Sequence, residues 1–564
     1  MRLLIAIGLF MVSLTLLMLG VAERTIWAPP ASYKLSVEFE TGNPFTILPN
    51  SVLSLHPGTP VVTSSGPRNV FIATGRESDI MAWVGDTPHT LLTGSKKGEK
   101  LTAESISGPG SNYSPVGADL WRSTVSGEKK AVLATPSKLA GAALLASDGS
   151  TAAPGVVSVV WPVKFDLFPS NLLIGFGLGV LLLALIMNLI SYRTLRKRRG
   201  PSRKVPRAPH GPRIRLGKSP RMAPPRGRRA ARKIAFGLSA SALTVSLLTG
   251  CSSAENVPSA TPSPTVAMAD PAVVTAAQLA RILDQISTIV DDGDAKNDPG
   301  KLATRVAGPA LAQRTSYYSI RKLDTKLPRL PRVAGKPITF MLPAASTLWP
   351  RTIMAITDEP GTPSPQMLVL QQASPRAQYL LWYNIRLMQG ATIPSVPVQE
   401  IGAIPVDPGA KFVKVAPNEL PKIYGQILDS GVGGASGRLF NVDNDEFYKQ
   451  ISESQASQVA SLKNGKISFT HTLGSSNVLS LATTESGALV AVAMIDGYTI
   501  RPTKRGSAIT VTGMEKTLLG ATGSPTGIVS KYSDMLLFFV PQSGASVQVQ
   551  LLGVTQGLLS VRSR

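Results

Sequence analysis

Between Asn171 and Ile190 the only polar side chain is Asn188, and the run ends at Arg193-Thr194-Leu195-Arg196-Lys197-Arg198-Arg199. About 20 apolar residues suffice to cross a hydrocarbon core of roughly 30 Å. Lys and Arg beside such a span stay in the cytoplasm, so the pattern predicts a stop-transfer helix over 168–192. Trp161, Phe165 and Phe168 flank its other end, where interfacial aromatics belong. The chain is therefore expected to be divided by a membrane, with its earlier part outside and residues 193–233 inside.

The start of the chain agrees independently. Leu3 to Ala22 is almost uninterrupted Leu, Ile, Val, Met and Phe behind Arg2, and Gly20-Val21-Ala22 supplies the small residues of a cleavage site. Residues 1–22 read as an N-terminal membrane anchor or a signal peptide, and either one exports the chain from residue 23 onward. A third apolar segment, Ile234 to Gly250, is shorter and rich in Ala, Ser and Thr, and ends at Leu248-Thr249-Gly250-Cys251. It has the dimensions of a signal h-region, so 234–251 is expected to be a third membrane helix or a lipoprotein-signal-like segment. In the second case Cys251, the one cysteine of the chain, is the lipidation candidate, and Leu248, Thr249 and Gly250 complete its lipobox. Met222-Ala223-Pro224-Pro225-Arg226-Gly227-Arg228-Arg229 would be an ordinary lipoprotein start if it opened a gene.

The formal charge of +24 is concentrated here: 17 Lys and Arg fall between Arg193 and Lys233, and no Asp or Glu occurs between Asp166 and Glu255. Seven prolines, from Pro201 to Pro225, break any helix in this loop, which composition predicts to be disordered. Its expected partner is the anionic headgroups of membrane lipids. Nucleic acid is not expected, because no Phe, Tyr or Trp is interleaved for base stacking.

Residues 23–167 are predicted to form an exported all-β domain, a sandwich or a barrel, with strands at Tyr33–Phe39, Asn69–Ala73, Asp79–Val84, Lys130–Ala134 and Val156–Trp161. After a Ser/Pro/Thr linker over 252–270, two exported α+β repeats are expected at 271–412 and 413–564. In the first, Thr275-Ala276-Ala277-Gln278 is a capping box before an amphipathic helix carrying Leu279, Ile282, Leu283, Ile286, Ile289 and Val290. A second helix is expected over Lys301–Lys322, then strands near 338–342, 351–357, 366–372 and 378–388. Leu279–Ile286 aligns with Leu420–Ile427, which marks the repeat. A capping box at Asp443-Asn444-Asp445-Glu446 then opens a helix to about Leu462, with strands near 466–472, 476–483, 488–496, 507–512, 531–540 and 546–553. The predicted fold class is thus a multidomain membrane protein with two or three membrane helices.

Helices followed by a curled antiparallel meander is similar in element order to the cystatin-like and nuclear-transport-factor-like folds. That resemblance implies a sheet wrapped around a helix, with room for a pocket. The whole chain resembles uncharacterised cell-envelope proteins of high-GC Gram-positive (actinobacterial) bacteria, in which an exported β domain ends in a Trp-Pro strand such as Val160-Trp161-Pro162-Val163, followed by a membrane helix, an arginine-rich loop and a lipobox-like segment. It implies a location in the envelope and carries no activity.

No nucleophile elbow, phosphate loop or zinc-protease motif occurs, and neither cofactor, metal nor catalytic residue is predicted. Ser126-Gly127-Glu128-Lys129 matches Ser-x-x-Lys without the accompanying Lys-Thr-Gly. Asp291, Asp292, Asp294 and Asp298 lack calcium-loop order and read as a solvated helix end. The expected function is non-enzymatic binding or scaffolding at the outer face of the cytoplasmic membrane, toward an envelope protein or a cell-wall polymer. The alternatives are a solute-binding protein with a pocket in the C-terminal repeats, and a cell-wall glycan enzyme or its accessory subunit.

Overall fold

The computed structural model describes residues 2–28, 30–40, 42–95, 100–135, 141–163, 167–198, 272–360, 364–434, 436–474 and 477–564. They fall into two compact units, Met1–Ala28 with Asp166–Ala267, and Pro29–Phe165 with Met268–Arg564. Most of the basic loop, the segment 234–251 and the linker 252–270 lie outside the described residues.

The chain opens with helix α1 (Arg2–Thr25). It continues through β1 (Ser32–Glu38), β2 (Phe45–Leu48), α2 (Asn50–Leu53), β3 (Val61–Gly75), α3 (Glu77–Val84), β4 (His89–Gly94) and β5 (Leu101–Ile106). Then come β6 (Ser123–Ala134), β7 (Ala142–Ala146), β8 (Val156–Pro162) and the 31-residue helix α4 (Phe168–Arg198).

Helices α1 and α4 form the first unit, and both are long and apolar enough to cross a membrane. They run antiparallel: the Ser13 hydroxyl donates to Gly177 O at 2.7 Å, and Arg24 reaches Ser170 and Asn171. The buried residues are Ala6, Ser13 and Gly20 on α1, and Ser170, Gly177, Ala184 and Ser191 on α4. Each set recurs every seventh residue, the spacing that keeps one seam between two helices winding left-handed about each other. All seven are small, which lets the backbones approach closely without a hydrophobic driving force. A Cβ on Gly20 would lie 2.7 Å from Ile174 Cγ1, and one on Gly177 2.9 Å from Leu17 Cγ. The remaining faces expose Leu, Ile, Phe and Met, a distribution suited to lipid.

In the second unit, the eight N-terminal strands form one sheet in the order β1-β8-β3-β7-β2-β4-β5, with β6 paired to β3. A bridge between Ser36 and Lys100 brings the two ends together, so the sheet curls into a barrel. Alternation divides neighbouring residues between two cores. Leu48, Ile72, Leu145, Val159 and Trp161 point inward, whereas Ile47, Phe71, Ala73 and Leu144 form an outer cluster. The segment Asp79–Val84, expected as a strand, is instead part of helix α3. Its Ile80, Trp83 and Val84 have helical spacing, and all three are buried in the outer cluster, which the sheet alone would leave wet. The region is therefore not all-β.

The C-terminal half begins with α5 (Ala276–Lys296), α6 (Pro299–Leu302) and α7 (Gly308–Leu323). The meander β9 (Ile338–Pro343), β10 (Arg351–Thr357), β11 (Gln366–Gln372) and β12 (Leu380–Arg386) follows. Thr275 and Gln278 complete the expected capping box. The single helix expected over 301–322 is broken, because Gly308 takes φ +55° and Pro309 opens a new helix behind it.

Helices α8 (Leu420–Ser430) and α9 (Glu446–Ser461) repeat the pattern. After them come β13 (Gly465–Leu473), β14 (Leu479–Ala482), β15 (Ala488–Pro502), β16 (Ile509–Thr510), α10 (Gly513–Leu519), β17 (Gly523–Ser524), β18 (Ile528–Val540) and β19 (Gln550–Ser563). The cap of α9 is Asp445, which accepts from Tyr448 N at 2.9 Å, whereas Asp443 lies in a preceding 3-10 turn. This corrects the expected start by two residues. The strand expected at 507–512 shrinks to the two residues of β16.

The aligned octapeptides both lie in the first helix of their half, and Leu279, Leu283 and Ile286 match Leu420, Tyr424 and Ile427 in burial. The two halves share their cores: Leu489, Ala491 and Ala493 of β15 belong to the same buried cluster as α5, while Val490, Val492 and Met494 belong to that of α8. An antiparallel bridge from Leu387 to Gly553 and the bond from Met388 N to Leu552 O join the meanders beside β12 and β19.

Candidate functional site

Buried polar groups gather at three places in this second unit. The first is the seam between the barrel and the C-terminal half. Asp119, 1% exposed, receives Arg305 Nη1 at 2.6 Å, Arg305 Nη2 at 3.1 Å and Tyr379 N at 2.8 Å. Asp79 is shared by Arg76 at 2.9 Å and Arg351 at 2.8 Å, and Arg351 stacks on the Trp349 ring at 3.5 Å. Arg376 donates to Trp83 O and Val84 O, and Gln278 to Leu120 O. These carboxylates are saturated by the protein itself, so the seam fastens two regions.

The second place is a string of acids around His471. Its Nδ1 lies 2.6 Å from Asp429 Oδ1 on α8 and its Nε2 lies 3.4 Å from Asp496 Oδ1 on β15. A Cβ on Gly425 would come within 2.9 Å of His471 Cβ, so a glycine lets α8 press directly on β13. On β18, Asp534 is fully buried and neither carboxylate oxygen is hydrogen-bonded. Burial first, and the charge of Asp496 second, raise its pKa well above the ordinary carboxylate range. Burial also raises Asp496. The imidazole is wholly enclosed, so the string clamps α8 onto the sheet.

A carboxyl with a raised folded pKa keeps its proton in the native state. Its stabilising contribution is full below its unfolded value, near pH 4, and is lost as pH rises through the folded value. Asp534→Asn removes that loss. The variant is expected to exceed wild type in stability by roughly 1–3 kcal/mol at alkaline pH, the scale of a buried group left unsatisfied. The gap should close toward about pH 4. Denaturant unfolding across a pH series checks this, and a gap independent of pH refutes it.

The third place is a cleft of about 290 Å3 lined by α7, β12, β18 and β19. Along β12, Leu381, Tyr383 and Ile385 enter the core, so Asn384 and Arg386 face the opposite side and line the cleft. From α7 come Gln313, Arg314 and Tyr317. Gly557 makes room for Gln313, since a Cβ there would lie 2.3 Å from Gln313 Nε2. Three buried polar atoms on this lining have no hydrogen-bond partner: Gln313 Nε2, Gln366 Oε1 and Asn384 Oδ1. The Gln366 amide is oriented by its own bond to Arg332 O at 2.9 Å, which leaves the oxygen free. Each unsatisfied group costs about 1–3 kcal/mol, and all three atoms are shut off from water, whereas Tyr317 and Arg386 are among the half-buried polar residues of the lining. A second hollow, of about 410 Å3, is lined among others by Asn50, Arg122, Thr135, Gly141 and Thr275.

The sequence-singled residues are distributed differently. Cys251, Leu248, Thr249 and Gly250 lie outside the described residues. Ser126–Lys129 sits on β6, its Ser, Glu and Lys side chains exposed. The aspartates at the end of α5 are not simply a solvated helix end. Asp294 is buried, takes Arg314 Nη1 at 2.5 Å on both oxygens and accepts from the Tyr318 hydroxyl. Asp291 pairs with Arg332, Asp292 with Lys301, and Asp298 caps α6. Among the described residues no group of His, Cys, Asp or Glu is arranged to hold a metal ion. Gln313, Gln366, Asn384 and Arg386 escaped sequence reading because they come from separate elements and belong to no motif.

Residues 270–563 match the model of a family described as a domain of unknown function (DUF8094). No curated protein and no solved structure matches the chain.

Proposed function

Because the chain belongs to the DUF8094 family, whose description assigns no activity, we propose from its own geometry that it is a membrane-anchored binding protein of the cell envelope. In this reading the barrel and the C-terminal half are exported together and hold a small solute in the cleft beside α7. The cleft itself, with Tyr317, Asn384 and Arg386 half-buried on its lining, carries the proposal. Chemistry on a glycan is not part of it: among the described residues no Asp or Glu lines the cleft, where two carboxylates would be needed.

A library of small polar solutes, screened by thermal unfolding of the full-length protein in detergent, tests the reading. At least one solute is expected to raise the melting temperature of wild type and to have no effect on Gly557→Leu, whose side chain pushes Gln313 into the cavity. A library without a single stabilising member, or stabilisation that survives in Gly557→Leu, overturns it.

A scaffolding role toward an envelope protein or a cell-wall polymer is the second reading, favoured by the seam. Buried ion pairs that fasten the barrel to the C-terminal half make one presenting surface out of two regions.

Membrane anchoring rests on the α1–α4 pair. An antiparallel hairpin places Arg2 and the basic residues after Tyr192 at the same end, which accords with a cytoplasmic position for both. The complementary small-residue seams also favour a retained α1, since a cleaved signal has no use for a matched partner face. With Cys251 replaced by Ala, the pair Ser13→Cys and Gly177→Cys is expected to crosslink in isolated membranes, in a full-length band carrying both an N-terminal and a C-terminal tag. Loss of the N-terminal tag would show that α1 is removed. In chains that keep Cys251, a palmitate-labelled C-terminal fragment would instead reveal processing at Gly250–Cys251.

A further inference from the structure

We infer that the bare face at one end of the β13-β15-β18-β19 sheet docks an anionic polysaccharide, a chain of sugars or polyols that carries carboxylate or phosphate groups at intervals. The inference depends on neither the cleft nor the seam.

Strand register builds the face. Lys466 on β13 lies directly opposite Arg501 on β15. Two residues further along, Ser468, Thr499, Val529 and Arg562 form a row across all four strands, and Thr470, Gly497, Lys531 and Ser560 form the next. Cross-strand partners and residues two apart share a face, so all of these lie on one side of the sheet. Ile500, Ile528 and Val561 occupy the other side, where Val511 and Leu519 pack against them. On the first side Lys466, Arg501, Lys531 and Arg562 are exposed, as are Ser468 and Thr470 between them. Lys504 and Arg505 extend the charge into the turn after β15, where the Thr503 amide donates to Asn464 O at 2.9 Å beside β13.

Charge gives the sign of the partner. The rows contain no Asp or Glu, and among the described residues none of these cations makes an ion pair. Like charges directly opposite across two strands are destabilising, and Lys466 with Arg501 is such a pair. A lysine on an edge strand guards against pairing with another sheet, but Arg501 and Lys531 lie on the two central strands, where no edge needs guarding. An anion that bridges the cations removes the repulsion, and guanidinium groups bind carboxylate and phosphate oxygens alike.

Spread and lining give its class. The four strands distribute the charges over about 14 Å, three strand spacings, so a single small anion cannot meet them all. A bilayer surface would touch only the tips of Lys and Arg, and the rows hold no Trp, Phe or Leu to enter it. The short hydroxyl side chains of Ser468, Thr470 and Ser560 are within reach of a chain laid directly on the sheet. Single-stranded nucleic acid calls for aromatic side chains among the cations. Here alternation sends Phe469, Tyr498 and Tyr532 to the opposite side, the two tyrosine hydroxyls donating to Glu515 of α10. A polyanionic sugar chain needs charge and hydroxyl contacts, and its own hydroxyls both donate and accept.

Lysine acetylation read by mass spectrometry tests this on the full-length protein in phosphatidylcholine nanodiscs, because a footprint at named lysines is separate from any binding to the basic segment 193–233. Polygalacturonate is expected to slow acetylation of Lys466 and Lys531 and to leave Lys336, exposed elsewhere, unchanged. The slowing should be about threefold or more and should vanish in high salt, since screening shortens the reach of a charge from about 10 Å at 0.1 M to about 3 Å at 1 M. Neutral dextran should protect neither lysine. In the double variant Arg501→Glu with Arg562→Glu, the polymer should no longer slow either one, while an opposite charge across from Lys466 keeps the strands paired. Absence of protection, equal protection of Lys336, or protection that survives in the double variant with its circular dichroism unchanged overturns the inference. Protection by phosphatidylglycerol nanodiscs without polymer, or by oligothymidylate at lower concentration than polygalacturonate, overturns the polysaccharide class.

Discussion

Asp79→Ala is expected to destabilise the protein by about 3–5 kcal/mol, the cost of breaking a buried pair so that its partners are left charged. Asp79 is 1% exposed and pairs with both Arg76 and Arg351, so its loss leaves the fully buried Arg351 guanidinium without its carboxylate. Arg351 is fully buried, its Nη1 already lacks a partner, and its remaining contacts are carbonyl oxygens and the Trp349 ring. The barrel supplies Asp79 and the C-terminal half supplies Arg351, so the damage falls on the seam that unites them. Trp83 and Trp121 lie in the adjoining cluster and report the change by fluorescence during denaturant unfolding of the full chain. Adding Arg351→Met should restore a substantial part of the lost stability, because an apolar side chain there needs no counter-charge. A single variant within experimental error of wild type would mean that water reaches the seam.

Gly308→Val is the second large effect, expected at roughly 2–6 kcal/mol. Two costs add. Gly308 holds φ +55°, and a β-branched residue in such a conformation loses about 1–3 kcal/mol. Its Cβ would also lie 2.4 Å from Cε3 of Trp382, and overpacking of that kind costs a further 1–3 kcal/mol or so. Gly308 opens α7, the helix that carries Gln313, Arg314 and Tyr317 into the cleft, so any solute that stabilises wild type should bind the variant more weakly. Melting temperature and solute titration on the same preparation check both consequences. Gly308→Ala, lacking the branched carbons, should lose less than Val while still meeting the ring. A Val variant as stable as wild type would show that Trp382 moves aside freely.

Several elements were legible in the sequence because their signals are local. The capping box at Thr275–Gln278, the stripe from Leu279 to Val290 and the strands at 351–357 and 366–372 each depend on the periodicity of a few neighbours. Where the period was ambiguous, reading failed. Asp79–Val84 offers alternation and helical spacing together, and the outer barrel face that needed covering decided for the helix. Likewise Asp445 displaced Asp443 as the cap of α9 through a tertiary bond, accepting the Tyr424 hydroxyl from α8 at 2.7 Å.

The cleft was invisible for a stronger reason. Gln313, Gln366, Asn384, Arg386 and Gly557 are spread over almost 250 positions and carry no spacing that chemistry demands. Glutamine and asparagine are also ordinary surface residues in a sequence; what distinguishes these three is burial without a partner.

By itself, the sequence determined that two segments near residues 3–22 and 171–190 are long and apolar enough to span a membrane, that basic charge is confined between 193 and 233, and that helices precede strands twice after residue 271. Such properties follow from composition and from periods of 3.6 and 2, which act over one or two turns of chain. Only the tertiary structure decided that small residues at every seventh position pair α1 with α4, that the barrel and the C-terminal half are fastened by buried ion pairs, and that residues of distant elements line one cavity. Partner identity, burial and unmet hydrogen bonds are relations between residues far apart in the chain, and they acquire an energy only once folding removes water from between them.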